Sequence, residues 1–218
     1  MLEQILPPEV AVAEAFGDLP GAKLFPEEEA AIARAMPSRR TEFAAARECA
    51  HAALARLGEP PVPILRGPRG APVWPAGVAG SITHCTGYRA AAVARTSEII
   101  TVGVDAEPDR PLPGGVLDVI SRPAERAQVA DLAARPGATC WDRLLFCAKE
   151  SVYKAWFPVT QEWLGFGDAE IVIDAAGGTF TARLLVPGPP VTGSPLTSLR
   201  GRWLADHGLV VTAIALRA

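Results

Sequence analysis

The chain has 218 residues, 49% hydrophobic and 21% charged, with a formal net charge of −3 and a pI near 5.7. That length holds one large domain, or two small and intimately packed ones, around a sizeable core. The charge balance offers no basic stripe for nucleic acid, and no run approaches the ~20 apolar residues of a membrane span.

The amino-terminal MLEQILPPEV has no basic n-region and no long apolar run, so no signal peptide is read there. Cys49, Cys85, Cys140 and Cys147 form no CxxC pair and are expected as reduced thiols of a soluble, cytoplasmic protein. Residues 1–30, rich in Pro and acids, are expected to wrap the surface. A helix follows, capped by Ser38 and stopped by Gly58, with an apolar stripe of Phe43, Ala46, Ala50, Ala53, Leu54 and Leu57. Arg39, Arg40 and Arg47 fall off that stripe. Residues 59–80 read as extended loops carrying Arg66 and Arg69.

Residues 80–95 read as strand, turn, strand, with Ser81, Thr83 and His84 near the turn. The next strand ends in Asp105 and Glu107. Residues 108–140 read as an insertion, with a helix started by Ser121, Pro123 and Glu125. A strong helix spans 141–156, and Pro158 is expected to end it. Two hairpins complete the chain, 170–186 around Ala-Ala-Gly-Gly and 199–216 around Asp206-His207-Gly208. The class is α+β, with helices packed on antiparallel sheet.

Chemistry concentrates in two segments. Asp105 and Glu107 are two apart on a strand, so both carboxylates leave one side of it. Glu150 and Lys154, four apart, share a helix face. The chain has only three lysines, Lys23, Lys149 and Lys154, against 18 arginines. Two of the three therefore stand within one short segment, where a compact hydrated charge suits phosphate. Three carboxylates on two elements offer oxygen ligands alone, which suits Mg²⁺ and not zinc.

GVDAEP followed by FCAKESVYKAW resembles the paired G-x-D-x-E and W/F-x-x-K-E-x-x-x-K signatures of the broad-specificity 4′-phosphopantetheinyl transferases, the surfactin-synthetase-activating and enterobactin type. Upstream, GSITHCTGY is similar to the family's Ser-x-x-His segment. RRTEFAAAR, PILRGPRGAPVWP, WDRLLFCAKE and LRGRW look closest to the actinobacterial members. Ala106 departs from the many members that carry a larger residue between the two acids.

The resemblance implies two similar α+β halves in a pseudo-twofold arrangement, residues 1–101 and 102–218, with coenzyme A in the cleft between them. It implies transfer of the phosphopantetheine arm of coenzyme A to a serine of an acyl or peptidyl carrier protein, releasing 3′,5′-ADP. Asp105, Glu107 and Glu150 would hold Mg²⁺ on the pyrophosphate, Glu150 would also act as base, and Lys154, assisted by Lys149, would stabilise phosphate charge. Arg39, Arg47, Arg66, Arg69 and His84, with Ser81 and Thr83, would grip the adenosine and 3′-phosphate end. Leu117, Val119, Ile120, Val129 and Leu132 of the insertion, with Arg122 and Arg126, would form a carrier-docking edge. Partners would be carrier proteins of polyketide, fatty-acid or non-ribosomal peptide synthesis, with neither nucleic acid nor membrane, and the chain is expected to be a monomer. Two rival readings are a coenzyme-A-binding regulatory module without turnover and a Mg²⁺-dependent pyrophosphate hydrolase.

Overall fold

The structure, a computed structural model, describes residues 1–17, 19, 21–137 and 139–218. In chain order its elements are β1 (Ala11–Phe16), α1 (Pro26–Ala31), α2 (Pro37–Arg56), β2 (Val78–Cys85), β3 (Tyr88–Arg95), β4 (Ile99–Pro108), α3 (Val116–Ile120), α4 (Pro123–Ala133), α5 (Trp141–Thr160), β5 (Ala169–Asp174), β6 (Thr179–Leu184), β7 (Pro190–Val191), β8 (Ser194–Pro195), β9 (Ser198–Asp206) and β10 (Leu209–Arg217). Short 3₁₀ turns lie at Leu2–Gln4, Pro68–Gly70 and Phe166–Asp168. One antiparallel sheet has the order β1-β3-β2, a second β4-β10-β9-β6-β5, and β7 and β8 form a small ribbon. The class is the expected α+β. Strand pairing passes from one sheet to the other between Arg95 and Ile99.

Three apolar clusters stack the elements in layers. Ala50, Ala53 and Leu54 of α2 pack on Ala91 and Val93 of β3. The opposite face of β3, Ala90, Ala92 and Ala94, meets Val102, Val104 and Ala106 of β4 and Val211 of β10. Beyond β10, Val210 and Ile214 meet Ala148 and Val152 of α5. The run Ala90–Ala94 is thus buried on both faces, which explains its unbroken small apolar sequence. Among the described residues no helix is long and apolar enough to cross a membrane.

Several local expectations need correction. Residues 1–30 do not merely wrap the surface: β1 pairs with β3, and Met1, Leu2, Ile5, Val10 and Val12 enter the core between the sheets. Glu28 is fully buried, accepting hydrogen bonds from the Ile64 and Phe25 N–H groups. Ser38 does not cap α2; the cap is Met36, and Pro37 takes the first helical position, where its missing N–H costs nothing. Gly58 ends α2 as expected, at φ +81°, with the Glu59 N–H returning to the Leu54 carbonyl.

Pro158 does not end α5. The helix runs on to Thr160 and stops where Gln161 turns left-handed at φ +58°. Proline removes one hydrogen bond but leaves the α conformation open to the two residues that follow. Arg122, not Ser121, caps α4, its N–H donating to Glu125 Oε2 at 2.6 Å. Of the proposed docking edge, Ile120, Val129 and Leu132 are core residues. Leu117 is half-buried, and only Val119 stands out, 78% exposed.

Candidate active site

The site begins with the way α5 meets β4. A side chain on Gly103 would lie 2.1 Å from the Ser151 carbonyl and 2.7 Å from the Ala155 nitrogen, so the helix rests directly on the strand there. Thr101 Oγ1 donates to the Ala155 carbonyl at 2.8 Å, and Thr212 Oγ1, opposite Asp105 on β10, donates to the Cys147 carbonyl at 2.9 Å. Two residues beyond Gly103 on the same strand face stands Asp105. The close contact therefore brings Asp105 of β4 against Lys154 of α5.

Lys154 Nζ donates to Asp105 Oδ1 at 2.7 Å and to the Val104 carbonyl at 3.1 Å. Burial pulls this ammonium down, but Asp105 and Glu150 outweigh it and hold it above its ordinary value. Asp105 Oδ2 is buried with no hydrogen-bond partner. Glu150 makes no hydrogen bond among the described residues; burial and then Asp105 raise its carboxyl above the usual range, against Lys154. Glu107 is raised as well, by burial and Asp105, and Arg143 opposes the shift. Glu107 and Glu150, both raised by Asp105, form with it a negative locus suited to a cation.

The three carboxylates do not close on a common point. Glu107 Oε2 accepts from Arg143 Nη1 at 3.0 Å, while Arg143 also donates to the Arg110 and Pro111 carbonyls. Among the described residues no three His, Cys, Asp or Glu side chains form a ready-made metal cage. The donor set nonetheless fits a hard cation. Magnesium commonly takes one or two protein carboxylates and completes its shell with water and phosphate, and the unpartnered Asp105 Oδ2 is a free oxygen ligand.

Around this locus opens a cleft of about 610 Å³, lined from one side by Arg39, Arg47, Arg66, Arg69, Ser81, Thr83 and His84 and from the other by Glu150, Tyr153, Lys154 and Gln161. Arg39 faces the cleft and Arg40 lies exposed outside its lining. Arg39 Nη1 is 3.1 Å from His84 Nε2. Arginine can only donate, so that ring nitrogen accepts and the imidazole is neutral. The cleft wall and then Arg39 hold His84 below its ordinary pKa.

Arg47 is not on a solvated helix face. It is buried, donates from Nε to the Ile64 carbonyl at 2.7 Å, lies 4.0 Å from Glu28, and covers the Phe43 ring at 4.2 Å. Burial lowers it to about 10, with Glu28 opposing, so it stays cationic at neutral pH. Arg66 lies 5.8 Å from the same ring. Arg69, at φ +54°, reaches across to Trp163 at 5.2 Å, and Trp163 in turn packs on Tyr153.

Ser81 and Thr83 border the cleft, and their hydroxyl oxygens bond to β4. Ser81 Oγ accepts the Val104 N–H at 3.1 Å and Thr83 Oγ1 the Ala106 N–H at 3.0 Å. Thr83 then donates to Asp105 Oδ1 at 3.2 Å. They satisfy the edge of β4, and Thr83 also orients Asp105.

Lys149 requires the largest correction. Its ammonium points away from Asp105 into a buried pair with Glu125 at 2.9 Å. Five residues apart on a helix is a rotation of roughly 140°, so Lys149 and Lys154 cannot share a face. Arg143, by contrast, is seven residues before Glu150 and shares its face, a spacing that could have flagged it from sequence. Arg122 and Arg126 are engaged locally, with the Gly167 and Ser121 carbonyls. Tyr153 lines the cleft, Phe157 is buried but also lines it, and Trp156 is core.

Residues 27–94 match the family model described as the 4′-phosphopantetheinyl transferase N-terminal domain, and residues 101–193 that of the 4′-phosphopantetheinyl transferase superfamily. The 4′-phosphopantetheinyl transferase Svp of Streptomyces mobaraensis is 56% identical over 221 residues, spanning 100% of this chain and 90% of that protein. PptT of Mycobacterium tuberculosis is 53% identical over 95% of this chain and 92% of its own length. Npt of Nocardia iowensis is 51% identical over 99% of each. Matches of this extent reach both segments that build the cleft, and the chain belongs to the 4′-phosphopantetheinyl transferase superfamily.

Proposed function

We propose that this chain transfers the 4′-phosphopantetheine arm of coenzyme A to a serine of an apo carrier protein and releases 3′,5′-ADP. The reading follows family membership. Within the structure it is carried by one observation: Glu150 and Lys154 line a two-sided, arginine-rich cleft, and Lys154 ties that wall to Asp105 of β4. The segments before and after the Arg95–Ile99 connection supply the opposite walls. Arg39, Arg47, Arg66, Arg69 and His84 grip the 3′-phosphate and adenosine end, where guanidinium forks suit phosphate.

At the other end Glu150 takes the proton of the carrier serine, directly or through water. A carboxyl raised in pKa and free of hydrogen bonds is available for that role. The serine oxygen attacks the pantetheine-bearing phosphorus, the bond from that phosphorus to the bridging oxygen breaks, and the electron pair leaves on 3′,5′-ADP. Lys154 neutralises charge on the bridging and leaving oxygens. Mg²⁺ would be held by Asp105 and Glu150, with Glu107 completing the set on release from Arg143. Bound there, it supplies charge neutralisation on the pyrophosphate.

The carriers are small acyl or peptidyl carrier domains of fatty-acid, polyketide or non-ribosomal peptide synthesis. The test is to incubate the chain with coenzyme A, MgCl₂ and a panel of apo carriers and weigh each carrier intact. A phosphopantetheine-sized gain, lost with EDTA and on Ser→Ala in the carrier, is the expected result. Coenzyme A binding without gain on any carrier would favour a binding module, and steady 3′,5′-ADP release without carrier would favour a hydrolase.

A further inference from the structure

The buried Lys149–Glu125 pair is built more fully than packing alone requires. Lys149 Nζ pairs with Glu125 Oε1 at 2.9 Å and donates hydrogen bonds to the Phe166 carbonyl at 2.6 Å and to the Ala169 carbonyl at 2.9 Å. Glu125 accepts the Ile171 N–H on Oε1 at 2.7 Å and the Arg122 N–H on Oε2 at 2.6 Å. The two side chains are 2% and 1% exposed. Four elements converge there: the start of α4, the middle of α5, the 3₁₀ turn at Phe166–Asp168, and β5.

An ion pair at this depth is seldom needed for stability, since apolar side chains of similar volume often serve as well. What it adds is direction. One ion pair and four hydrogen bonds around these two side chains fix the rotation and axial setting of α5 against β5. Glu150 is the next residue along the chain, and no hydrogen bond among the described residues holds its carboxylate. Its position is therefore inherited from the backbone of α5. A rotation of about 10° at the radius of a helix side chain moves that carboxylate roughly 1 Å. A misplacement of that size costs a reaction about 10²-fold.

We propose that Glu125 is a positioning residue for the transfer reaction, acting through Lys149 to set the rotation of α5 and hence the placement of Glu150. This rests on the transferase reading. The wild-type chain must first convert an apo carrier; failure there would overturn that reading and not this one.

The variant Glu125→Leu/Lys149→Met replaces both charges by apolar side chains and leaves neither charge stranded, although the Ile171 and Arg122 N–H groups lose their acceptor. Its thermal transition should fall by several degrees while the chain stays folded. Coenzyme A should bind within about twofold of wild type by calorimetry, because the adenosine end is gripped from the opposite wall. The carrier-transfer kcat should nevertheless fall on the order of 10²-fold. A folded double variant with kcat within about threefold of wild type would overturn the proposal, as would a loss that tracks coenzyme A affinity. Should the double variant lose its thermal transition, Glu125→Gln, which keeps the shape and one acceptor, carries the same test with the same two outcomes.

Discussion

Lys154 Nζ sits 2.7 Å from Asp105 Oδ1, while the other oxygen of the same carboxylate is buried without a partner. One side chain thus presents a satisfied oxygen to a lysine and keeps the other buried and bare. A buried carboxylate oxygen without a donor is costly, and it persists here where the proposed reaction brings positive charge. Replacing Lys154 by Met should strand both oxygens beside the weak Thr83 contact. We expect stability to fall by about 1–3 kcal/mol in urea denaturation and carrier transfer to be lost. Wild-type activity in a stable Lys154→Met protein would remove Lys154 from the chemistry.

Glu150 behaves in the opposite way. It has no hydrogen bond to lose, and burial and Asp105 both press against its charge. Glu150→Gln should therefore leave stability unchanged or slightly raised. Transfer should fall by about 10²–10⁴-fold, the usual worth of a general base. Intact-mass rates and a thermal melt on one preparation decide the point, and retention of most of the activity would free Glu150 of its assigned role.

Ser81 and Thr83 test a different link. If their hydroxyls satisfy β4, Thr83→Val should cost about 1–3 kcal/mol by leaving the buried Ala106 N–H unpaired. Ser81→Ala should strand the Val104 N–H at similar cost, yet leave coenzyme A affinity within about twofold. A large loss of affinity with unchanged stability would return Ser81 to the ligand.

The two chemistry-bearing segments were legible because they depend on local periodicity. Strand alternation places Asp105 and Glu107 on one face, and helix spacing places Lys154 beside Glu150. Lys149 was misassigned through adjacency in sequence, although the same helical angle separates it from Lys154. Glu125 carried no mark at all: its role comes from α4 folding back over α5, a tertiary event. β1 was missed because Ala-Val-Ala-Glu-Ala-Phe holds an acid in mid-strand. In the structure Glu14 accepts hydrogen bonds from the Leu2 N–H and the Tyr88 hydroxyl, partners distant in sequence. The hydroxyls of Ser81 and Thr83 were read for the right location, and their bonds to the β4 N–H groups carried no mark in the sequence.

His84 gives a pH dependence with a definite sign. Without ligand it is neutral and held below 6.5 by the cleft wall and Arg39. The unfolded chain then takes up its proton first, so this group's contribution to stability is lost as pH falls below 6.5. A phosphate beside the ring acts in the other direction, raising the proton affinity of the bound state. Coenzyme A should therefore bind more tightly as pH is lowered from about 8 to 6.5, before a phosphate monoester itself gains its proton near 6. Calorimetry across that window should show the slope in wild type and its absence in His84→Ala. A slope that survives the substitution would place another group on the phosphate.

Gly103 tests whether the β4–α5 contact sets the geometry of the whole site. A methyl group there would meet the Ser151 carbonyl and the Ala155 nitrogen at distances no real side chain tolerates. Both are backbone atoms, so the helix must move as a body. Overpacking of this kind costs about 1–3 kcal/mol, and the displacement would carry Lys154 away from Asp105 and Glu150 away from the cleft. Gly103→Ala should thus lower stability in urea denaturation and, in the fraction that remains folded, reduce kcat by about 10-fold or more. Coenzyme A affinity should change less, since Arg39, Arg47 and His84 stand on the other wall. Normal kcat in a destabilised Gly103→Ala protein would mean that the site tolerates a shifted helix, and would weaken every argument that runs from the rotation of α5 to catalysis.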